Sequence, residues 1–538
     1  MLHVESLPAD VLGLSDLSRQ ALSGTLAIEG LHVARKAAEV PQPKERFVPE
    51  ERKHLARWLE SQLTPLGAHV HVLESVRALA QPGVSCVVTG HQPGFLASPL
   101  LILYKAAQCV SLARELSQRW SRPVVPLFWN HADDHDIAEV HHAHFLNRNL
   151  DLQRVALAGM SSGRRPLSRV RIAEEPQRLG AVRALFRQIF GDHEHIDDAI
   201  ELFVPRGDTT FAETFTRTML ELFGPHGLVV VEPDWMREEC SSALAQIVGA
   251  KPAKHLAAAE VDLLNAGFEP AIPVAEAALV YRVDDAGRRA LRAGGEGFRY
   301  DEEPGSRTCS ELAAEIVQEP AAWSAGALLR PLVQDMVLPI AAQVGGAGEL
   351  AYHAQLGRLR QAVDIPCTPF VPRVSITLID KEQRASAAKL GATPQDILRA
   401  RGEWTPQGEE RETPAVVDDL RRMGAECAEA LLARRKELAQ IEPALAPHLR
   451  RTVVQFTRAL DKLAEKASRV DADRSGRGGR HLRRLNHALC PHGQAQEQVL
   501  GPLPFVARFG RAWLDALCAE LDPFCSEHLL IELEEQAR

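Results

Sequence analysis

The sequence predicts an α/β fold: a core built on a mostly parallel sheet with insertions, plus an α-helical coiled-coil arm. Three observations predict it. Short apolar runs that close on glycine or a polar loop alternate with helical stretches. Two long segments, roughly 140–220 and 240–330, mix Gly, Pro and charged residues and read as insertions of unassigned fold. From about Thr413 a charged heptad pattern takes over. The expected division is 1–410 for the core with N-terminal helices and insertions, 411–490 for the arm, and 491–538 for a C-terminal segment that packs back on the core.

The elements follow in order. The first eighty residues read as mostly helical, with Leu55, Trp58, Leu59 and Leu63 on one face. "VSCVVTG" (Val84–Gly90) suits a buried strand. "SPLLILYKAAQCVSLARELSQRW" follows as a helix, with Ser98 as its cap and Pro99 at its first position. "RPVVPLFW" (Arg122–Trp129) is the next strand, which completes a βαβ unit with parallel strands. "HGLVVVEPD" (His226–Asp234) predicts a third strand, with a helix from Trp235. "MVLPIAAQVGGAGELAYHAQLGRL" is a strand, a glycine loop and a helix, and "TPFVPRVSITLID" is one further extended run. In the arm, Leu449, Val453, Phe456, Leu460, Leu463, Ala467 and Val470 are spaced alternately by four and three, a heptad seam. With the preceding amphipathic helix and the prolines at 443 and 447, they predict an antiparallel helical hairpin. "RSGRGGR" (Arg474–Arg480) breaks the second helix, because each glycine costs about 1 kcal/mol there.

Composition narrows the function classes. The net charge is −9, and the one locally basic segment, Arg474 to Arg484, reads as solvated surface, so nucleic acid is not an expected partner. No run is long enough to span a bilayer, and the N-terminus has neither a basic n-region nor an apolar h-region. The nine cysteines are scattered without a C-x-x-C pair, as expected for reduced thiols in the cytoplasm.

In open parallel sheets ligands bind beyond the carboxyl ends of the strands. Three candidate loops sit at such ends and should open on one edge: Thr89-Gly90-His91-Gln92-Pro93-Gly94, Asn130-His131-Ala132-Asp133-Asp134-His135-Asp136, and Gly345-Gly346-Ala347-Gly348-Glu349. In the third, small residues admit a ligand to the backbone N–H groups, and the helix starting near Glu349 points its N-terminus at an anion. It lacks the Gly-Lys-Ser/Thr of a P-loop and does not fit G-x-G-x-x-G. The second loop has nitrogen and oxygen ligand types, so three readings stand: a metal site, acid–base chemistry at His135, or a polar loop of satisfied histidines.

Together "TGHQPGFLASPLLILYKA", "PVVPLFWNHADDHDIAEV", "LLRPLVQDMVLPIAAQVGGAGELAYHAQL", "PFVPRVSITL" and "PHGQAQEQVLGPLPFVARFG" resemble the bacillithiol biosynthesis cysteine-adding enzymes, the BshC family. The resemblance runs from about residue 80 to the end. It implies a Rossmann-like core with connecting insertions and a coiled-coil arm that makes a homodimer. It implies a carbon–nitrogen ligase that joins L-cysteine to glucosaminyl malate, the last step to bacillithiol. Three departures stand out. The family's T-G-Q-Q-P-G has His91 here, its G-E-D-H-D reads Ala132-Asp133-Asp134-His135-Asp136, and its continuous basic arm helix is interrupted by glycines.

A carboxylate does not condense with an amine unless it is activated, so ATP with Mg²⁺ is the expected cofactor. His135 is the candidate to take a proton from the cysteine ammonium, with Asp134 and Asp136 orienting it or contacting sugar hydroxyls. Gly345 and Gly346 are expected at the malyl carboxylates or a phosphate, and Arg330 and Arg373 as carboxylate clamps. Thr89 and Gln92 are expected to hydrogen-bond substrate. Gly90, Pro93, Gly94, Asp133, Gln334, Glu349, Tyr352 and Ser375 complete the expected pocket; no metal ligands are assigned. Three alternatives stay open: an ATP-dependent ligase or nucleotidyl-activating enzyme on another acid, a metal-dependent hydrolase using the His/Asp loop, and a non-enzymatic coiled-coil interaction protein.

Overall fold

The computed structural model describes residues 2–157, 163–172, 176–191, 193–205, 209–285, 287–295, 297–301, 305–402, 404, 414–441, 445–474 and 479–534. At its centre lies a five-stranded, wholly parallel sheet. Its strands in chain order are β1 (Ser85–His91), β2 (Val124–Asn130), β3 (Val229–Val231), β4 (Ile340–Gly345) and β5 (Phe370–Pro372). In space they run β5–β4–β1–β2–β3. β2 and β4 are buried along their whole length, as their unbroken apolar sequences require of strands covered on both faces. Chain order reverses between β1 and β4, so the loops after these two strands flank the crevice where doubly wound sheets bind ligands.

Helix α1 (Leu101–Trp120) joins β1 to β2. It starts later than its sequence suggests. Ser98 and Pro99 are linked by a cis peptide bond and stand outside the helix, whose cap is Leu100. α1 is buried between the sheet and the C-terminal segment. Gln108 donates to the Pro372 and Pro523 carbonyls (3.0 and 2.8 Å), and Ser111 to that of Leu521 (2.6 Å). These bonds satisfy polar groups that burial would otherwise leave costly. Leu503, Val506, Trp513, Leu514 and Leu517 bring the C-terminal segment into the same core cluster.

Both insertions have folds that the sequence left unassigned. The first holds a hairpin (His142–Leu146 with Leu152–Ala156) and helices over Pro176–Phe190, Ile196–Phe203 and Phe211–Phe223. The second starts with α2 (Arg237–Gly249) and builds a five-stranded antiparallel sheet from Ala278–Asp284, Gly287–Gly294, Gly297–Tyr300, Ser306–Thr308 and Trp323–Ala325. Leu244, Leu279, Leu291, Phe298, Leu312 and Leu332 give this second body a hydrophobic cluster of its own. α3 (Arg330–Val337) then leads the chain back to β4, which is followed by the short helix α4 (Ala347–His353).

Other expectations need correction. The run "TPFVPRVSITLID" is two strands in two sheets: β5 ends at Pro372, and β6 (Ser375–Asp380) belongs to a separate three-stranded sheet. The middle strand of that sheet is β7 (His528–Leu533), parallel to β6 and antiparallel to an N-terminal strand, His3–Leu7. The first eighty residues are therefore not all helical. Leu55, Leu59 and Leu63 are buried along Pro49–Leu63 as their spacing predicts, and Trp58 donates its indole N–H to the Trp235 carbonyl (2.6 Å). The third strand spans only three residues, because Pro233 ends it in a 3₁₀ turn.

The arm pairs α5 (Ala415–Ala433) with α6 (Leu445–Arg474). Gly424 of α5 faces Leu460 of α6, and an added Cβ there would make an ordinary contact with Leu460 Cδ1 at 3.5 Å. Leu449 and Val453 of the heptad seam are buried, but Phe456 and Leu463 are 39% and 50% exposed. A two-helix hairpin covers one flank of a seam and leaves the other outside. Pro447 sits in the first turn of α6, where its missing N–H costs nothing. Pro443, the Val470 side chain, and Ser475–Gly478 within the glycine break lie outside the described residues. Helix resumes at Gly479 and runs to Leu489. Among the described residues no helix is long and apolar enough to cross a membrane.

Candidate active site

At the carboxyl edge of the central sheet a cavity of about 860 Å³ opens between the main core and the second body. The core side supplies Gly90, His91 and Gln92 after β1, His131, Asp133 and Asp134 after β2, and Gly346, Glu349 and Tyr352 after β4. Lys105 of α1, Arg330 of α3 and Arg373 after β5 complete that side. The second body adds Arg237, Tyr281, Arg288 and Trp323.

The three loops expected to converge do converge, but only some of their residues face the cavity. Gly90, Gln92, Asp133, Asp134, Arg330, Gly346, Glu349, Tyr352 and Arg373 line it. Thr89 does not; it is fully buried and bonds across the sheet to the Val344 carbonyl (3.0 Å). Pro93 and Gly94 lie behind the loop, and a Cβ at 94 would collide with the Ser98 carbonyl. Gln334 is buried one helical turn beyond Arg330. Gly345 and Ser375 line a neighbouring cavity of about 350 Å³, which shares Gly346 and Arg373 with the larger one.

His135 and Asp136 stand apart as well. They line an open depression on the other side of Asp134, with Glu139 and Arg164. The turn explains the split. Asp134 Oδ1 accepts the backbone N–H of His135 (2.7 Å), and Asp136 caps the short helix Ile137–Val140 through the Ala138 N–H (3.1 Å). Asp134 thus reaches the cavity while its two successors do not. The loop's histidines, His131 and His135, do not converge as a metal pair. Among the described residues no group of three His, Cys, Asp or Glu side chains is placed to hold a metal ion.

The cavity's charges are mostly paired. Lys105, 2% exposed, donates to the Gly90 carbonyl and to Glu349 Oε2 (2.6 Å). Burial lowers the lysine pKa against the pull of Glu349. For Glu349 burial acts upward, but Lys105 and the Gly346 N–H (2.8 Å) outweigh it and hold the carboxyl below its usual range. The same Gly346 bond corrects the anion-at-a-helix-end expectation. Ala347–His353 is a seven-residue helix whose first free N–H is filled by its own Glu349.

Across the cavity Arg237 is shared by Asp133 (2.5 Å) and Asp234 (2.8 Å to Nε). One guanidinium for two carboxylates pushes them apart: burial and the Asp234 charge raise the Asp133 pKa, while Arg237 and Ser168 hold Asp234 low. Gln92 Nε2 donates to both Asp134 (2.5 Å) and Glu139 (3.0 Å). Burial alone would raise Asp134, but Arg288, 3.7 Å away, and Gln92 bring it below its usual value. Arg373 is taken by Glu497 (2.8 Å), which also accepts from Ser375 Oγ (2.9 Å) and the Ile376 N–H (2.8 Å). Arg330 differs. Its contacts are His131 Nε2 (2.6 Å) and the Tyr352 hydroxyl (2.7 Å), and among the described residues it has no carboxylate partner.

Two family models match this chain: the BshC N-terminal Rossmann-like domain over residues 32–374, and the BshC C-terminal coiled-coil domain over 376–533, both described under bacillithiol biosynthesis. The chain belongs to the BshC family. A Koribacter versatilis relative is 29% identical over 495 residues, covering 91% of each chain. One from Solibacter usitatus is 28% identical over 494 residues and covers 90% of each. A Geobacillus kaustophilus relative is 27% identical over 513 residues, 89% of this chain and 90% of its own. All three carry the name "Putative cysteine ligase BshC".

Several residues of this candidate site escape a reading of the sequence alone. Lys105 registers in the sequence only as an interruption of an apolar run, yet a single charge inside the apolar first half of a helix is itself a signal of a buried, paired group. Arg237 lies in the helix expected from Trp235, Tyr281 and Arg288 come from an insertion whose fold was unassigned, and Glu497 comes from the tail.

Proposed function

We propose that this BshC-family ligase joins L-cysteine to glucosaminyl malate through an amide bond, the closing step of bacillithiol biosynthesis. The relatives' shared name supports the cysteine half of the reading. The acidic half rests on Arg330, a cavity guanidinium with no carboxylate in ion-pair contact among the described residues, its nearest acid influence being Glu349, which Lys105 already holds; it is fitted to a malyl carboxylate. ATP with Mg²⁺ is the reagent we propose for activating the carboxylate that condenses, because hydroxide is too poor a leaving group. The attacking amine must shed a proton. Of the cavity carboxyls, Asp133 suits that exchange best, because its pKa is raised by burial and by Asp234. His135, outside the cavity, keeps the outer end of the loop.

Purified protein with cysteine, ATP and glucosaminyl malate is expected to release the cysteinyl amide, detected by mass. Asp133→Asn should lower kcat by about 10²–10⁴-fold. No product from the unaltered protein would sink the reading. Product with a different acid in place of glucosaminyl malate would favour a ligase of another substrate.

We further infer a cytoplasmic homodimer built through the arm. Met423, Leu432, Phe456 and Leu463 are each at least 39% exposed there, an apolar outer flank that a second copy would cover. Phe456→Asp combined with Leu463→Asp should shift the sedimenting species from two chains to one. A mass unchanged by both charges would count against the arm as the interface.

A further inference from the structure

Five cations line the cavity, and four have an acid within reach. Lys105 has Glu349, Arg237 has Asp133 and Asp234, Arg288 has Asp134, and Arg373 has Glu497. Arg330 instead meets two uncharged groups, the His131 ring and the Tyr352 hydroxyl. We propose that His131 is a positioning residue, a neutral acceptor that aims Arg330 at an anionic ligand without cancelling its charge. This rests on the reading above that Arg330 takes a substrate carboxylate.

A guanidinium only donates, so at 2.6 Å His131 Nε2 must be unprotonated and the ring carries its hydrogen on Nδ1. The surroundings hold that state. Burial, then the charges of Arg330 and Lys105, push the imidazole pKa well below its ordinary value. The backbone is pinned too: the His131 N–H donates to the His91 carbonyl (2.8 Å). Space for the ring comes from Gly90, where a Cβ would stand 2.6 Å from Nε2 and 2.5 Å from the Trp129 carbonyl. The glycine at 90 and the histidine at 131 are therefore one device: the first leaves the room that the second occupies. A carboxylate at 131 would orient Arg330 equally well, but it would be a permanent counter-ion that any ligand must displace.

The test compares the full-length protein with His131→Gln, His131→Glu and Arg330→Gln, using L-malate in titration calorimetry and glucosaminyl malate in the ligation assay. Glutamine keeps a neutral acceptor and should hold malate within about threefold of the unaltered affinity, whereas glutamate should weaken it about tenfold or more. In turnover, His131→Glu should raise KM for glucosaminyl malate and leave kcat near its starting value. Equal malate affinity for His131→Glu and the unaltered protein would overturn the proposal. So would His131→Gln as weak as Arg330→Gln, or no saturable malate binding at all. Should His131→Glu fail to fold, ¹⁵N shifts of the labelled histidines decide: His131 is expected as the Nδ1–H tautomer at about pH 6, and a protonated Nε2 would overturn it. Malate binding with this variant pattern but no cysteinyl product would leave the positioning role standing and remove the ligase reading.

Discussion

Glu497→Ala is expected to cost about 3–5 kcal/mol of stability, the usual penalty for breaking a buried ion pair from one side. Glu497 is 1% exposed and serves three donors at once: Arg373, Ser375 Oγ and the Ile376 N–H. Alanine would leave Arg373 as an uncompensated charge in a wall of the candidate active site, with two further donors unsatisfied. Burial by itself would push the Glu497 carboxyl up; Arg373 more than offsets this and holds it below its normal value. Urea unfolding of the unaltered protein, Glu497→Ala and Glu497→Gln is the measurement. The glutamine variant, which retains an acceptor, should lose less. A loss under about 1 kcal/mol for alanine would mean that this knot does not bind the C-terminal segment to the core.

The second large effect is acid destabilisation from histidines buried as neutral rings. His528 is 1% exposed, bonded to Ser375 Oγ (2.9 Å) and Thr377 Oγ1 (3.0 Å), and burial lowers its pKa to about 4. His353, 3% exposed, is pushed well below its ordinary value by burial and then by Arg360 and Arg330. The unfolded chain takes up protons at these positions near pH 6.5, but the folded chain does not. Their contribution is therefore complete above about pH 6.5 and is lost as the pH falls toward about 4. Two protons correspond to about 2.7 kcal/mol per pH unit, or about 4 kcal/mol between pH 7 and pH 5. The urea midpoint should drop over that range, and His528→Gln should lessen the slope by one proton's worth, about 1.4 kcal/mol per pH unit, with other buried neutral rings such as His131 keeping the remainder. A midpoint flat from pH 7 to pH 5 would refute it.

Much of the fold was legible because strands covered on both faces leave unbroken apolar runs. "SCVVTG", "VVPLFW" and "IAAQV" carry that mark, and they are β1, β2 and β4. The same mark hid the break between β5 and β6, since an apolar run does not say which sheet each half joins; Pro372 and Arg373 stand where it changes. The antiparallel sheet of the second body was unreadable for the opposite reason. "GRRALRAG" sets a single leucine among three arginines, one of which, Arg288, is itself buried against the cavity, so its apolar signal is thin. At the site, loop positions were readable and side-chain directions were not. Asp134 faces the cavity while His135 faces away because of hydrogen bonds inside a turn, a matter of backbone path that no spacing rule expresses. Arg330 was readable as a residue of this pocket. That its partners are neutral depends on His131 lying against Gly90, two residues far apart in sequence.

The small three-stranded sheet has a consequence for biosynthesis on the ribosome. Its middle strand is β7, residues 528–533, while its outer strands are residues 3–7 and 375–380. The centre is therefore translated last. From residue 380 until residue 528 is made, two earlier strands wait with open hydrogen-bonding edges, and a fragment that stops before residue 528 keeps both edges exposed. Emergence of β7 covers both edges in one step, so the same segment that joins the two ends of the chain also removes its exposed strand edges.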